Sequence, residues 1–144
     1  MRESIDAFLA QQAIAVVGVS RTRGFANGAL RALRSKGYRV YPVNARADSV
    51  EGERCYRRLD DLPERVGAAL VVVPPQDGAS VVADCARLGI RHVWLQQGAS
   101  SDDALAFGRA HGLDLVHDRC VLMYASPRGA HRLHRWVREL RGRL

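Results

Sequence analysis

Lysine is almost missing from this 144-residue chain: Lys36 is the only one among 22 lysines and arginines. The net charge of +7 and an isoelectric point near 10.1 favour polyanionic partners, whether phosphate esters, nucleic acids or acidic membranes. An almost purely arginine charge beside many alanines also fits a compositional bias of the whole genome, so charge alone selects no partner. Long apolar runs are missing too. None approaches the ~20 residues that span a bilayer, which sets a membrane partner aside. The opening Met1-Arg2-Glu3-Ser4-Ile5-Asp6 has no basic segment leading into an apolar one, so no signal peptide is expected. Cysteine is sparse, and Cys55, Cys85 and Cys120 form an odd, unpatterned set that argues against a disulfide framework and for a reducing cytoplasm. Repeats, low-complexity runs and visible domain boundaries are absent. With 47% apolar residues, the chain is expected to be one domain over residues 1–144, its core at about 12–122 and a C-terminal helix at about 127–141.

What is present is a succession of short apolar bursts, each ending in a polar or Gly/Pro cluster. Ile14-Ala15-Val16-Val17 runs into Gly18-Val19-Ser20, and a second burst ends at Pro42-Val43-Asn44. Residues 69–73 lead to Pro74-Pro75-Gln76, residues 92–95 to Gln96-Gln97-Gly98, and residues 113–116 to His117-Asp118-Arg119-Cys120. The bursts are nearly continuous in Val, Ile and Leu, as in parallel strands covered on both faces. Helical stretches are expected between them, at 25–36 before Gly37, at 76–88 before Gly89 with Val81, Cys85 and Leu88 on one stripe, and at 101–111 before Gly112 with Ser101 as N-cap. Residues 45–66 are polar and irregular, with one turn of helix near Leu59-Asp60-Asp61-Leu62-Pro63. Strand–helix alternation predicts a single Rossmann-like domain, a three-layer α/β/α arrangement with a mainly parallel sheet of about five strands. In such a sheet the carboxyl ends of the strands share one edge, where ligands bind.

The clusters at that edge are the candidate site. Gly18-Val19-Ser20-Arg21-Thr22-Arg23-Gly24-Phe25-Ala26-Asn27-Gly28 is the turn into the first of these helices. It suits a phosphate, with glycine for close approach, a helix N-terminus, and two arginines for charge-assisted contacts. It is neither a G-x-G-x-x-G nor a P-loop, and an ordinary turn that needs Gly18 for geometry is the alternative. After the second strand the acid that holds a ribose in NAD sites is missing. Arg46 stands there instead and favours a phosphate-bearing ribose, as in NADP or coenzyme A; a solvated loop arginine is the alternative. Pro74-Pro75 stops the third strand or lines an adenine or pantetheine slot. Gln96 could bond pantetheine or phosphate, and Gly98 allows close approach. Trp94 and Cys85 are read as core. Cys120, beside Arg119, is a candidate redox thiol or a small buried hydrophobe. His131 and His134 lack paired cysteines and sit among arginines, so no metal site is expected. His117 has no legible nucleophile or paired carboxylate.

The segments Ala15-Val16-Val17-Gly18-Val19-Ser20-Arg21, Gly37-Tyr38-Arg39-Val40-Tyr41-Pro42-Val43-Asn44, Gly52-Glu53-Arg54-Cys55-Tyr56, Val93-Trp94-Leu95-Gln96-Gln97-Gly98 and Asp118-Arg119-Cys120 occur in the order found in a known family. Over residues 14–120 the chain resembles the stand-alone CoA-binding domains of bacteria and archaea, similar to the N-terminal domain of the succinyl-CoA synthetase α subunit and of NDP-forming acyl-CoA synthetases. The resemblance implies CoA or acyl-CoA held by Gly18, Val19, Ser20 and Arg21, by Val43, Asn44 and Arg46, by Val73 and Pro74, and by Gln96 and Gly98; Arg23 and Asn27 lie in the same turn. Ala45 departs from the Asn-Pro-Lys/Arg common in that family. The ligases also need a second domain with a phosphorylated histidine and a nucleotide-grasp domain, for which this chain has no room. The expectation is therefore a binding module without catalysis of its own, working alone, as a homodimer, or beside a partner enzyme chain. Two rivals stand: an NADP-dependent oxidoreductase, for which no hydride pocket is legible, and a nucleic-acid binder using Arg128, Arg132, Arg135, Arg138 and Arg141.

Overall fold

The apolar bursts form five strands whose residues alternate between two cores, which is why each burst is apolar throughout. The computed structural model describes residues 1–125. The expected C-terminal helix, with Leu133, Trp136, Val137 and Leu140, lies outside the described residues, as do His131, His134 and the arginines from Arg128 to Arg141.

The chain begins with α1 (Arg2–Leu9) and continues as β1 (Ala13–Val17), α2 (Phe25–Ser35) and β2 (Arg39–Val43). A small antiparallel hairpin, β3 (Ser49–Val50) and β4 (Glu53–Arg54), and a 3-10 turn at Leu59–Asp61 follow. The remainder is β5 (Ala68–Val71), α3 (Pro75–Leu88), β6 (His92–Gln96), α4 (Asp102–Ala110), β7 (Asp114–Arg119) and α5 (Leu122–Ala125). β1, β2, β5, β6 and β7 make one wholly parallel sheet in the order β2-β1-β5-β6-β7. Counting only these strands, the order is 2-1-3-4-5, a doubly wound sheet whose chain reverses direction between β1 and β5.

Ile14, Val16, Leu70, Trp94 and Val116 face one core with Ile5 and Phe8 of α1, Leu30 and Leu33 of α2, and Ala125. Ala15, Val17, Ala69, Val71, Val93 and Leu95 face the other with Val82 and Cys85 of α3 and Ala104 of α4. The expected three layers are present. Trp94 is fully buried, edge-on to Phe8 at 5.2 Å between ring centres. The unanticipated α1 is tied over the sheet by that contact and by Ser4 Oγ, which donates to the Asp114 carboxylate. Among the described residues no helix is long and apolar enough to cross a membrane.

Several boundaries differ from expectation. β5 ends at Val71 rather than 73, and β7 extends through His117, Asp118 and Arg119. In α3 the inner stripe is Gly78, Val82 and Cys85, with Val81 and Leu88 on its flank. At Gly78 the helix lies close against the loop after β6, where an added Cβ would be 3.0 Å from the Ala99 carbonyl oxygen. Pro74 and Pro75 do more than stop a strand, for Pro75 opens α3 at its first turn.

Surface carboxylates are drawn below their usual range by arginines: Asp60 by Arg87, Asp48 by Arg57, and Glu64 by Arg39 with the Tyr41 hydroxyl. The His117 ring does the same to Asp118. Lowered carboxyl values in the folded state stabilise it above the unfolded carboxylate range, and that gain is lost as the pH falls through the folded values. Melting temperature should therefore stay level from pH 7 to about 5 and fall below about 4. The fall should be shallower in 0.5 M salt, because these groups are exposed and screened; a melting temperature that rises on acidification would contradict the assignment.

Candidate functional site

The carboxyl ends of β1 and β5 meet through a glycine. Gly18 has φ +106°, and a Cβ there would sit 1.9 Å from the Val72 carbonyl oxygen. Its N–H donates to Val43 of β2 (3.0 Å), while Val72 N–H donates to Val17 (2.8 Å). One residue thus joins three strand ends at the reversal point, where an open parallel sheet has its crevice. The geometric requirement read from the sequence is real, and it arises from the neighbouring strand.

Beyond Gly18 the turn rises into α2. Val19 is buried with the core, so only its peptide groups face the edge. Asn27 is fully buried, its Oδ1 accepting from Ser20 N–H (2.7 Å) and its Nδ2 donating to Ser20 O (2.8 Å). The Ser20 hydroxyl accepts from Thr22 N–H (3.2 Å), which folds the turn tightly. Gly24 is the N-cap and no side chain caps α2, so its first N–H groups point outward with the positive end of the helix dipole. Arg21 and Arg23 are exposed beside them.

After β2, Val43 is a core residue. Asn44 Nδ2 donates to Val19 O (2.6 Å), and its Oδ1 accepts from Arg46 N–H (2.7 Å). Arg46 is exposed. The hairpin beyond is fastened to α2 through Arg31–Glu51 and Arg34–Glu53. Val73 is half-buried and Pro74 exposed at the end of β5. Gly98, at φ +89°, has no atom of the described residues, its chain neighbours aside, within 4 Å of where a Cβ would lie.

Gln96 departs from expectation. It is 5% exposed, and its Oε1 accepts from Val121 N–H (3.1 Å). Trp94 Nε1 donates to Arg119 O (3.0 Å). These two side chains hold residues 119–121 against the sheet. Cys120, half-buried, is carried between the two held positions. Asp118, at φ +57°, is bonded by His117 Nδ1 (2.7 Å) and Ser100 Oγ (3.2 Å). Cys85 is buried and pushed up to about 12, and Cys55 is also raised by burial. Iodoacetamide on the native protein should therefore alkylate Cys120 first, with Cys55 and Cys85 labelled only after unfolding; peptide mass spectrometry reads this, and early labelling of Cys85 would refute it.

Electrostatically the turn after β1 and the ends of β5 and β6 are one-sided, whereas the end of β7 carries Asp118 and the loop after β2 closes on Asp48. Arg31, Arg34, Arg39, Arg57, Arg58 and Arg87 are paired with carboxylates. Arg21, Arg23 and Arg46 have no such partner among the described residues, and residues 18–28, 42–47, 72–76 and 96–101 contain no acid. A depression of about 470 Å³ lies beside the hairpin, lined by Asp48, Arg54, Cys55, Tyr56, Arg57 and Asp61. None of its residues belongs to the strand-end cluster. Among the described residues no group of three His, Cys, Asp or Glu could hold a metal ion.

Residues 12–126 match the family model of the CoA binding domain. The ADP-forming acetate–CoA ligase II of Archaeoglobus fulgidus is 35% identical over 83 residues, which are 56% of this chain and 12% of that protein. Its Pyrococcus furiosus counterpart, subunit alpha, is 25% identical over 129 residues, 81% of this chain and 28% of the subunit. The chain thus spans about a quarter or less of these curated relatives. Among solved structures, a hypothetical protein from Pyrococcus horikoshii OT3 is 30% identical, with a TM-score of 0.79 over 85% of this chain and 88% of that one. A conserved hypothetical protein from Pyrococcus furiosus is 35% identical, with a TM-score of 0.73 over 78% and 98%. The dinucleotide-forming acetyl-coenzyme A synthetase 1 of Ca. Korarchaeum cryptofilum, in complex with phosphate and ADP, is 28% identical, with a TM-score of 0.66 over 80% of this chain and 27% of that one. With a family match over most of its length and an all-parallel sheet, this chain belongs to the CoA-binding domain family.

Proposed function

We propose that the protein binds coenzyme A or an acyl-CoA across the carboxyl edge of its sheet and contributes binding, not catalysis. The diphosphate lies against the turn of residues 18–24 and the uncapped start of α2, met by Arg21 and Arg23. Arg46 meets the 3′-phosphate. Pantetheine runs past Val73 and Pro74 to Gly98. The observation that carries this is the set of strand-end arginines, Arg21, Arg23 and Arg46, without carboxylate partners among the described residues, beside an exposed helix N-terminus and an acid-free turn after β1. Such a place suits three phosphate groups and disfavours a cation. The tied-down Gln96 leaves its role at the edge to its main chain and to the placement of residues 119–121.

The buried Asn27 and the core residues Val19 and Val43 are on this reading framework, and CoA meets the peptide groups they hold in place. The acetate–CoA ligase chemistry named for the relatives is theirs as whole proteins.

Calorimetric titration of ligand-stripped protein with CoA, NADP and ADP tests the reading. Micromolar or tighter CoA binding, weaker for ADP and weakened about 10–100-fold in Arg21→Ala, is expected. NADP binding without CoA binding would replace it with the oxidoreductase reading.

A further inference from the structure

We infer that Asn27 and Asn44 are positioning residues that divide the recognition of phosphate between them: Asn27 sets affinity at the diphosphate turn, and Asn44 sets discrimination for the 3′-phosphate by fixing Arg46. This rests on the CoA reading above.

The two amides hold one dipeptide from opposite sides. Asn27 reaches from inside α2 to both peptide groups of Ser20. Asn44 reaches from the loop after β2 to the carbonyl of Val19. The Val19-Ser20 backbone is thereby held by the two amides, in addition to the Ser20 hydroxyl bond to Thr22 N–H within the turn. Asn27 is fully buried, so it acts on a ligand only through Ser20. A buried amide bonded at both ends is costly to remove and defines one conformation of what it holds.

Asn44 has a second task. Its Oδ1 accepts the N–H of Arg46, two residues on, the side-chain mimic of a backbone turn that asparagine forms readily. That bond directs the Arg46 backbone. Further along, Glu51 and Glu53 moor the hairpin to α2, the same helix that carries Asn27. The loop bearing Arg46 is therefore anchored at Val19 and again at α2, with only Ala45 and Arg46 standing clear. If the Asn44 side chain is lost, the main-chain bond from Ala47 N–H to Asn44 O (3.3 Å) still closes the turn. Ala45 and Arg46 nevertheless lose the bond that directs them and must be ordered further when a phosphate binds, at the general entropic cost of fixing backbone. The first turn, still held by Asn27, keeps its shape.

The two residues thus predict different failures. The readout is the ratio of dissociation constants for dephospho-CoA and CoA, measured by calorimetry, with thermal melting to establish folding. One charge-assisted contact gives the wild type a ratio of roughly 10 to 100. Asn44→Ala should bring the ratio to within about threefold of unity, chiefly by weakening CoA. Asn44→Ser keeps an oxygen able to accept the Arg46 N–H and should retain most of the ratio. Asn27→Ala should weaken both ligands about tenfold with the ratio unchanged. If Asn27→Ala does not fold, the two Asn44 variants decide.

An unchanged ratio in Asn44→Ala, or a ratio that Asn44→Ser fails to restore, overturns this inference and leaves CoA binding standing. Equal affinity of the wild-type protein for CoA and dephospho-CoA overturns it as well. A wild-type protein that binds no CoA overturns the functional reading and the inference together.

Discussion

Gly18→Ala should be the most damaging single-atom-group substitution in the described part of the chain. A methyl group at this position would lie 1.9 Å from a carbonyl oxygen and 2.7 Å from its carbon, both main-chain atoms of Val72. A flexible side chain could swing aside, but main chain at a strand end cannot. Val72 is held by its N–H bond to Val17, and Gly18 by its own to Val43. Relieving the contact would part β1 from β5, or β1 from β2, at the centre of the sheet. The backbone adds its own penalty, since φ +106° is a region that residues with a Cβ avoid, at about 1–3 kcal/mol. Together with the broken strand-end bonds, the cost should reach about 4 kcal/mol or more. For a domain of this size that lowers the melting temperature by roughly 12 °C or leaves no folded protein. Gly98→Ala is the comparison. It also has positive φ but nothing within 4 Å among the described residues, so it should cost only the strain, about 1–2 kcal/mol. Equal melting temperatures for the two variants would show that the contact with Val72 yields.

That pair of glycines illustrates what the sequence could and could not convey. A glycine after an apolar run marks a special backbone, but two such glycines look alike on paper. Only the register of β1 against β5, set by long-range pairing, tells which one is packed. The strands were legible because both faces of the sheet are covered and each burst is apolar throughout. The hairpin of β3 and β4 was not, for it has two residues on each side and a turn of Glu51 and Gly52, both at positive φ. Asparagine or aspartate at the first of those positions would have signalled it. α1 is eight residues long, too short for a firm periodicity, although Ile5, Phe8 and Leu9 share a face.

The candidate site divides in the same way. The strand-end loops were legible because they follow apolar strands, a consequence of topology. Which side chains within them face outward depends on local hydrogen bonding. Asn27, in the first turn of α2, and Gln96, at the end of β6, lie beside these loops, yet their amides are engaged by protein peptide groups. Short polar residues beside glycine have two uses, contact with a ligand or repair of a turn, and composition does not separate them.

The second large effect concerns the arginines. Arg21→Ala combined with Arg46→Ala should weaken CoA binding by about 10²–10⁴-fold with little change in melting temperature. Each removes a charge-assisted contact to a different phosphate, at about 1.5–3 kcal/mol, and separate phosphates let the losses add. Neither arginine has a carboxylate partner among the described residues, so the folded state loses no ion pair. The matched control is Arg65→Ala with Arg91→Ala. Both are exposed, and both precede strands, so they lie at the amino edge of the sheet. A strand as long as β6, with five residues, separates the two edges by about 16 Å, beyond the ~10 Å screening length in 0.1 M salt. The control removes the same net charge and should leave the dissociation constant within about threefold of the wild type at that salt. If the two double variants weaken binding equally, attraction is a property of the whole basic surface, and the arginines of the strand edge hold no particular phosphate. If only the first does, with a shallower dependence of affinity on salt than the wild type, the charge acts where the loops converge.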